Sequence, residues 1–235
     1  EVVKRYLKRN ILNLIIKKVK INDANLRYKV DKIGLSKLIG KKIIKIKRRS
    51  KFLIFEIGKT YRMLVHLGMT GKFFFTDNKN NKFKTSFYYF LDYKKNQKHD
   101  RVIFILNKNR KLIYNDVRKF GFIKIYSSSL ITKSQHLAHL GPEPLKKSWN
   151  FLYLKKYIVG KERSIKNILM DQKCVSGLGN IYVNEILFLS GINPNRKAVK
   201  LKNFEIEKII KFSRIILKNS IKLGGSTIKD FSSEN

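Results

Sequence analysis

Leu140-Gly141-Pro142-Glu143-Pro144-Leu145 divides this sequence into two textures. Proline fixes φ and brings no N–H donor, so two prolines this close punctuate a linker. Downstream, apolar residues recur at helical spacing and predict helices over Phe151–Ile158, Ile165–Met170, Ile181–Leu189 and Phe204–Lys222. Asn203 is placed to cap the last of these, with Gly224 and Gly225 to close it. Upstream, Ile43, Ile44 and Ile46 lead through Arg48 and Arg49 into Phe52–Phe55 as one or two strands. Further short strands are predicted at Met63–Leu67, Lys72–Phe75, Ser86–Leu91, Val102–Leu106, Leu112–Tyr114 and Phe122–Tyr126. Turn signals such as Asp77-Asn78 and Asn107-Lys108-Asn109 separate them. Many short strands at regular spacing suggest a sandwich or a barrel. At the very start, Val3, Leu7 and Ile11 repeat at helical spacing with a basic opposite face. Strands first and helices afterwards make the class α+β with segregated halves: residues 1–128, a linker over 129–147, and 148–235.

Charge narrows the partners. Of 235 residues, 53 are basic and 16 acidic, a formal net charge of +37 with 43% hydrophobic residues available for a core. Such an excess repels itself and is best tolerated beside a polyanion: nucleic acid first, an anionic membrane surface second. Lys, Asn, Ile, Phe and Tyr all have AT-rich codons, so genome drift accounts for roughly half of the excess, and charge speaks only to non-specific association. The single cysteine, Cys174, excludes an internal disulfide and a cysteine-built metal site, and fits a reducing cytosol. No apolar run reaches the length of a membrane span, and the first residues do not resemble a signal peptide. The opening Glu1, with no Met before it, reads as a cut end.

Gly177-Leu178-Gly179-Asn180-Ile181-Tyr182 is the sharpest local signal. Its glycines permit close backbone approach, and the helix start that follows offers free N–H groups to an anion, with Asn180 as an extra donor. The plainer alternative is an interhelical turn capped by Asn. Lys161, Arg163 and Lys166 form either a phosphate clamp or a solvated face. Lys51 follows Arg48-Arg49-Ser50 and precedes Phe52-Leu53. Its amine either projects from a strand into a partly desolvated groove, where its pKa falls, or is an exposed strand lysine. Met69, in His66–Gly71, is core filler or a wedge for a base stack. Arg118 and Phe120, in Asn115–Gly121, offer base or phosphate bonding and stacking. His99 is one of four histidines; the others, His66, His136 and His139, show no metal spacing.

Taken in order, Arg48–Lys51, His66–Gly71, Lys98-His99-Asp100, Asp116–Gly121, Leu140–Leu145, Gly177–Tyr182 and Gly224–Phe231 closely resemble formamidopyrimidine-DNA glycosylases, over essentially the whole chain. The resemblance implies a two-layered β-sandwich with flanking helices, then a helical half carrying a helix–two-turn–helix. It implies an enzyme that removes 8-oxoguanine and ring-opened purines and cleaves abasic strands as a lyase. Met69, Arg118 and Phe120 then correspond to the trio that fills the hole left by an extruded base. Lys51 corresponds to the family's lysine for proton donation during β-elimination. His99, Arg118 and Asn180 correspond to DNA-contacting positions, and Glu185 lies on the helix after Asn180.

Three departures accompany the resemblance. The family's N-terminal Pro nucleophile and its neighbouring Glu have no counterpart here, Glu1 matching a later Glu; nor does the C-terminal four-cysteine zinc finger. The chain as it stands is therefore expected to bind DNA but to catalyse little, with no cofactor of its own. A family DNA-binding lysine falls at Glu162, with Lys161 or Arg163 standing in. The expected partner is duplex DNA carrying an oxidised purine or an abasic site, bound by a cytoplasmic, nucleoid-associated monomer and not by a membrane protein. The alternatives are an endonuclease VIII-type enzyme for oxidised pyrimidines and a non-catalytic DNA-binding protein.

Overall fold

A computed structural model describes residues 1–76, 82–84 and 97–225. The strand expected at Ser86–Leu91 and the turn at Asp77-Asn78 lie outside the described residues. Two compact units emerge, Glu1–Thr132 and Lys133–Leu223.

The first unit is a sandwich of two antiparallel sheets. Strands β1 (Ile16–Ile21), β2 (Ile43–Arg49), β3 (Phe52–Ile57), β4 (Tyr61–His66), β5 (Lys72–Thr76), β6 (Lys82–Lys84), β7 (Asp100–Leu106), β8 (Arg110–Asn115) and β9 (Phe122–Ser127) are divided between them. One sheet runs β1-β7-β8-β5-β6 and the other β2-β3-β4-β9. Along β3, buried and half-buried residues alternate, as a strand with one face on a core must. Phe55 of one sheet meets Phe73 of the other edge-on at 5.8 Å, and Phe73 meets Tyr114 at 5.4 Å. These rings lie in a single apolar cluster with Leu7 and Ile11 of helix α1 (Val2–Ile11) and Leu35 of helix α2 (Lys32–Ser36). Burying such large side chains supplies the main drive for closing the sandwich. Neither β1 nor α2 stands out in the sequence, because Lys-rich β1 has only Ile16 fully buried and α2 is barely more than one turn.

The second unit is helical: α3 (Phe151–Ile158), α4 (Ile165–Met170), α5 (Asn180–Ser190) and α6 (Asn203–Lys222). Asn150 and Ser164 cap α3 and α4 by accepting from Tyr153 N–H and Asn167 N–H. The cap expected from Asn203 is a correction: Asn203 lies inside α6. Lys202 is the N-cap residue, and Glu205 reaches back to its N–H at 2.7 Å. The side chain three residues into a helix can satisfy the same free donor as a cap, which makes Asn203 dispensable there. Gly141 N–H donates to Gln172 O at 2.9 Å, and Ser176 N–H to Pro142 O at 2.9 Å. The Gly-Pro segment is thereby stitched to the loop between α4 and α5. Among the described residues no helix is long and apolar enough to cross a membrane.

Candidate nucleic-acid interface

Topology brings two sequence-distant loops together. The β4–β5 loop and the β8–β9 loop each cross from one sheet to the other. Strand β4 pairs with β9, with His66 opposite Phe122, and β5 pairs with β8, with Lys72 opposite Asn115. Both crossovers therefore start and finish on neighbouring strand ends and run side by side. Met69 sits on one, Arg118 and Phe120 on the other. The Arg118 guanidinium lies 4.5 Å from the Phe120 ring centroid and donates to Met69 Sδ at 3.4 Å. Met69 is 68% exposed and Phe120 46%, so two large apolar side chains face solvent instead of the core. The core-filler alternative for Met69 fails on that exposure.

Glycine makes the approach possible. A Cβ on Gly68, which has φ +62°, would lie 2.7 Å from the Phe120 carbonyl carbon. One on Gly121 would lie 2.5 Å from His66 O and clash outright with the Tyr114 hydroxyl. Any side chain at either position would push the two loops apart.

Beneath the loops lies a polar mount that spacing in the sequence does not reveal. The fully buried Asp116 accepts from Thr70 Oγ1–H at 2.5 Å, Gly121 N–H at 2.9 Å and Tyr114 O–H at 3.3 Å. Burial and the Asp116 charge together push the Tyr114 phenol far above its ordinary value, keeping it a neutral donor. Arg101 donates through Nε to Asp116 O at 2.9 Å and through Nη1 to Asp23 at 3.0 Å. Asp23 also pairs with Lys119 at 2.7 Å. Arg101 Nη2 lies 3.1 Å from His99 Nδ1. A guanidinium can only donate, so His99 Nδ1 accepts and its Nε2 carries the proton. Burial, then the Arg101 and Lys98 charges, hold the imidazole below its ordinary pKa. His99 thus presents a neutral donor.

Lys51 is placed differently from the strand position expected. Arg49 pairs with Phe52, so Ser50 and Lys51 form the two-residue turn of the β2–β3 hairpin, with Ser50 at φ +55°. Arg48 Nη1 donates to Ser50 O at 2.8 Å and its Nε to the Glu1 carboxylate at 3.3 Å. Behind the turn, Phe52, His66 and Phe122 form an aromatic row across β3, β4 and β9, His66 stacking on Phe122 at 5.7 Å. Lys51 keeps an exposed surface, yet desolvation by the surrounding protein depresses its pKa. The expected depression is present, on a hairpin tip.

In the helical unit, Gly177 has φ +104° and its N–H donates to Gln172 Oε1 at 2.8 Å. Gln172 Nε2 in turn bonds Leu178 O at 2.9 Å, shaping the turn into α5. The capping alternative for Asn180 fails. Gly179 is the N-cap residue, and Asn180 is an exposed first-turn residue with its side chain not spent on capping. The N-terminal N–H groups and partial positive charge of α5 make this end suited to an anion. Lys161 and Arg163 are exposed and Lys166 half-buried around the start of α4. Arg163 is committed to Asp171 at 3.0 Å, and Glu162 to Lys197 at 2.7 Å. Lys161 and Lys166 are thus the less encumbered cations. Among the described residues no cluster of His, Cys, Asp or Glu is placed to hold a metal. Cys174 is buried, which pushes its thiol up to about 12, so these residues do not fit a four-cysteine zinc.

Comparison with known proteins agrees with this two-unit fold. The profile described as the formamidopyrimidine-DNA glycosylase N-terminal domain matches residues 1–123, and that of the corresponding H2TH domain matches residues 140–232. The formamidopyrimidine-DNA glycosylase of Rickettsia felis is 38% identical over 231 residues, covering 98% of this chain and 78% of the relative. That of Rickettsia bellii is 38% identical, covering 98% and 79%. Lactococcus lactis Fpg in complex with abasic-site DNA superposes with a TM-score of 0.82 at 32% identity, covering 96% of this chain and 78% of that one. A mutant of the same protein bound to Fapy-dG containing DNA gives 0.83 at 31% identity, covering 100% and 79%. With profiles matching both units and relatives aligned across nearly all of it, this chain belongs to the formamidopyrimidine-DNA glycosylase family of DNA-repair enzymes.

Proposed function

We propose that this DNA-repair glycosylase acts on oxidised and ring-opened purines in duplex DNA and also cleaves the resulting abasic strand by elimination, working as a monomer. The observation that carries the reading is the joint exposure of Met69, Arg118 and Phe120 on adjoining crossovers. Extruding a base costs a few kcal/mol of lost stacking and pairing, which side chains inserted into the hole partly restore. A flexible thioether, a flat guanidinium and an aromatic ring suit that task. Lys51, its pKa lowered by desolvation, gives up its proton more readily than an ordinary lysine and serves as the proton donor. His99 and Arg118 serve as DNA contacts from the sandwich; Asn180, Lys161, Lys166 and, more weakly because of Asp171, Arg163 serve as phosphate contacts from the helical unit. Duplexes carrying a single lesion test the specificity in the full-length protein. Incision at 8-oxoguanine or formamidopyrimidine, in the strand that carries the lesion, with thymine glycol left intact is expected; the reverse preference overturns the reading.

The phosphate assignments have their own signature. Lys166→Ala is expected to weaken binding to damaged and undamaged duplex alike and to lower the salt slope of log K by about 1. Asn180→Ala, removing a neutral donor, weakens binding without that change in slope. Fluorescence-anisotropy titrations from low to physiological salt separate the two.

A further inference from the structure

The Thr70 side chain bridges the two crossovers with two hydrogen bonds of its own. Its hydroxyl donates to Asp116 Oδ1 at 2.5 Å and accepts the Arg118 N–H at 3.0 Å. It lies next to Met69 in the chain, and Arg118 is two residues beyond Asp116. Asp116 cannot drift, because its carboxylate is also held by Gly121 N–H and Tyr114 O–H, its N–H by His99 O at 3.1 Å and its carbonyl by Arg101. Loops that must enter a base stack usually pay an ordering cost on binding, and pre-ordering removes that cost.

We infer that Thr70 is a positioning residue: its hydroxyl latches the Met69 loop to the Asp116–Phe120 loop, so that the wedge enters DNA as one preformed unit. This rests on the wedge reading above. The latch adds no contact of its own to DNA; it acts through Met69 and Phe120. Valine at this position keeps the shape and loses both hydrogen bonds, whereas serine keeps the hydroxyl.

The test uses the full-length protein with two readouts. One is the affinity ratio for duplex containing a tetrahydrofuran abasic analogue over undamaged duplex. The other is the rate of the fluorescence change of 2-aminopurine placed beside the analogue, which follows wedge insertion. Thr70→Val is expected to lower both by about ten-fold, the scale of one or two lost hydrogen bonds, with undamaged-duplex affinity unchanged. Thr70→Ser is expected to stay close to the parent, and Asp116→Asn, which cannot accept at both oxygens, to fall at least as far as Thr70→Val. In a Met69→Ala/Phe120→Ala background the effect of Thr70→Val should vanish, which a general loosening of the fold would not produce. The latch is overturned if Thr70→Val retains the parent ratio, if Thr70→Ser falls with it, or if the effect persists without the wedge. Should Met69→Ala/Phe120→Ala itself leave the ratio unchanged, the wedge reading fails first and the latch with it.

Discussion

Lys51→Met in the full-length protein is expected to slow cleavage at a preformed abasic site by about 100-fold or more, with a much smaller loss of duplex affinity. General acid catalysis by one positioned group is worth on the order of 10²–10⁴ in rate. Methionine retains most of the side-chain length but carries no proton. Gel-resolved single-turnover kinetics on an abasic duplex measure this, and a variant cleaving at the parental rate removes Lys51 from the chemistry. The pH profile sharpens the test. Desolvation lowers the Lys51 pKa from its ordinary 10.5. The protonated donor is therefore lost, and the alkaline limb of the rate profile appears, below 10.5 in the parent. The same shift has a stability consequence. With a folded pKa below the unfolded one, keeping Lys51 charged costs stability at every pH below the folded pKa. That cost fades as pH rises through the folded pKa and is gone above the unfolded one. Lys51→Met should accordingly be slightly more stable than the parent at neutral pH, with the gain disappearing in strongly alkaline buffer. Slower chemistry on a firmer fold is the pattern expected of a group held for function.

Trp149→Ala is expected to cost about 4 kcal/mol, the usual scale for emptying a core of a large aromatic side chain. Trp149 is fully buried at the centre of the helical cluster. Its indole N–H donates to Ser213 Oγ at 3.0 Å, and its carbonyl accepts from Arg214 at 2.6 Å. The ring meets Tyr153 edge-on at 5.9 Å. Truncation leaves a cavity and removes the side-chain bond to Ser213, one of the two bonds tying the entry to α3 to the middle of α6. Because this is the sole tryptophan, far-UV circular dichroism during urea denaturation is the proper readout, not intrinsic fluorescence. Trp149→Phe should cost only about 1–2 kcal/mol, losing the Ser213 bond and part of the area. A Trp149→Ala variant that unfolds at the parental urea midpoint contradicts this account of the helical core. Loosening this unit should also weaken DNA binding regardless of lesion, if α4 and α5 carry the phosphate contacts proposed above.

How legible all this is from residues alone varies with the range of the interaction. Helices α3 and α4 fall where apolar spacing puts them, Phe151–Ile158 and Ile165–Met170, because a helix is built from contacts three and four residues apart. The Asn203 cap misleads, since Glu205 satisfies the same donor from inside the helix. Lys51 looks like a strand residue because Phe52 and Leu53 follow it. Only the Arg49–Phe52 pairing between β2 and β3 turns it into a hairpin tip. Thr70 and Asp116 each fall within a motif of the resemblance, but nothing in the sequence pairs them, since they lie 46 residues apart.

By itself the sequence determined the α+β class, the order of strands before helices and the family, and it nominated the residues proposed as wedge, lysine and phosphate contacts. Those properties reside in local periodicity and in short motifs. Tertiary structure alone decided that Arg118 meets both Met69 and Phe120, that a buried carboxylate holds the two loops, and that His99 is pinned as a neutral donor. Strand pairing between two sheets brings distant loops together, and no local pattern encodes which strand ends become neighbours.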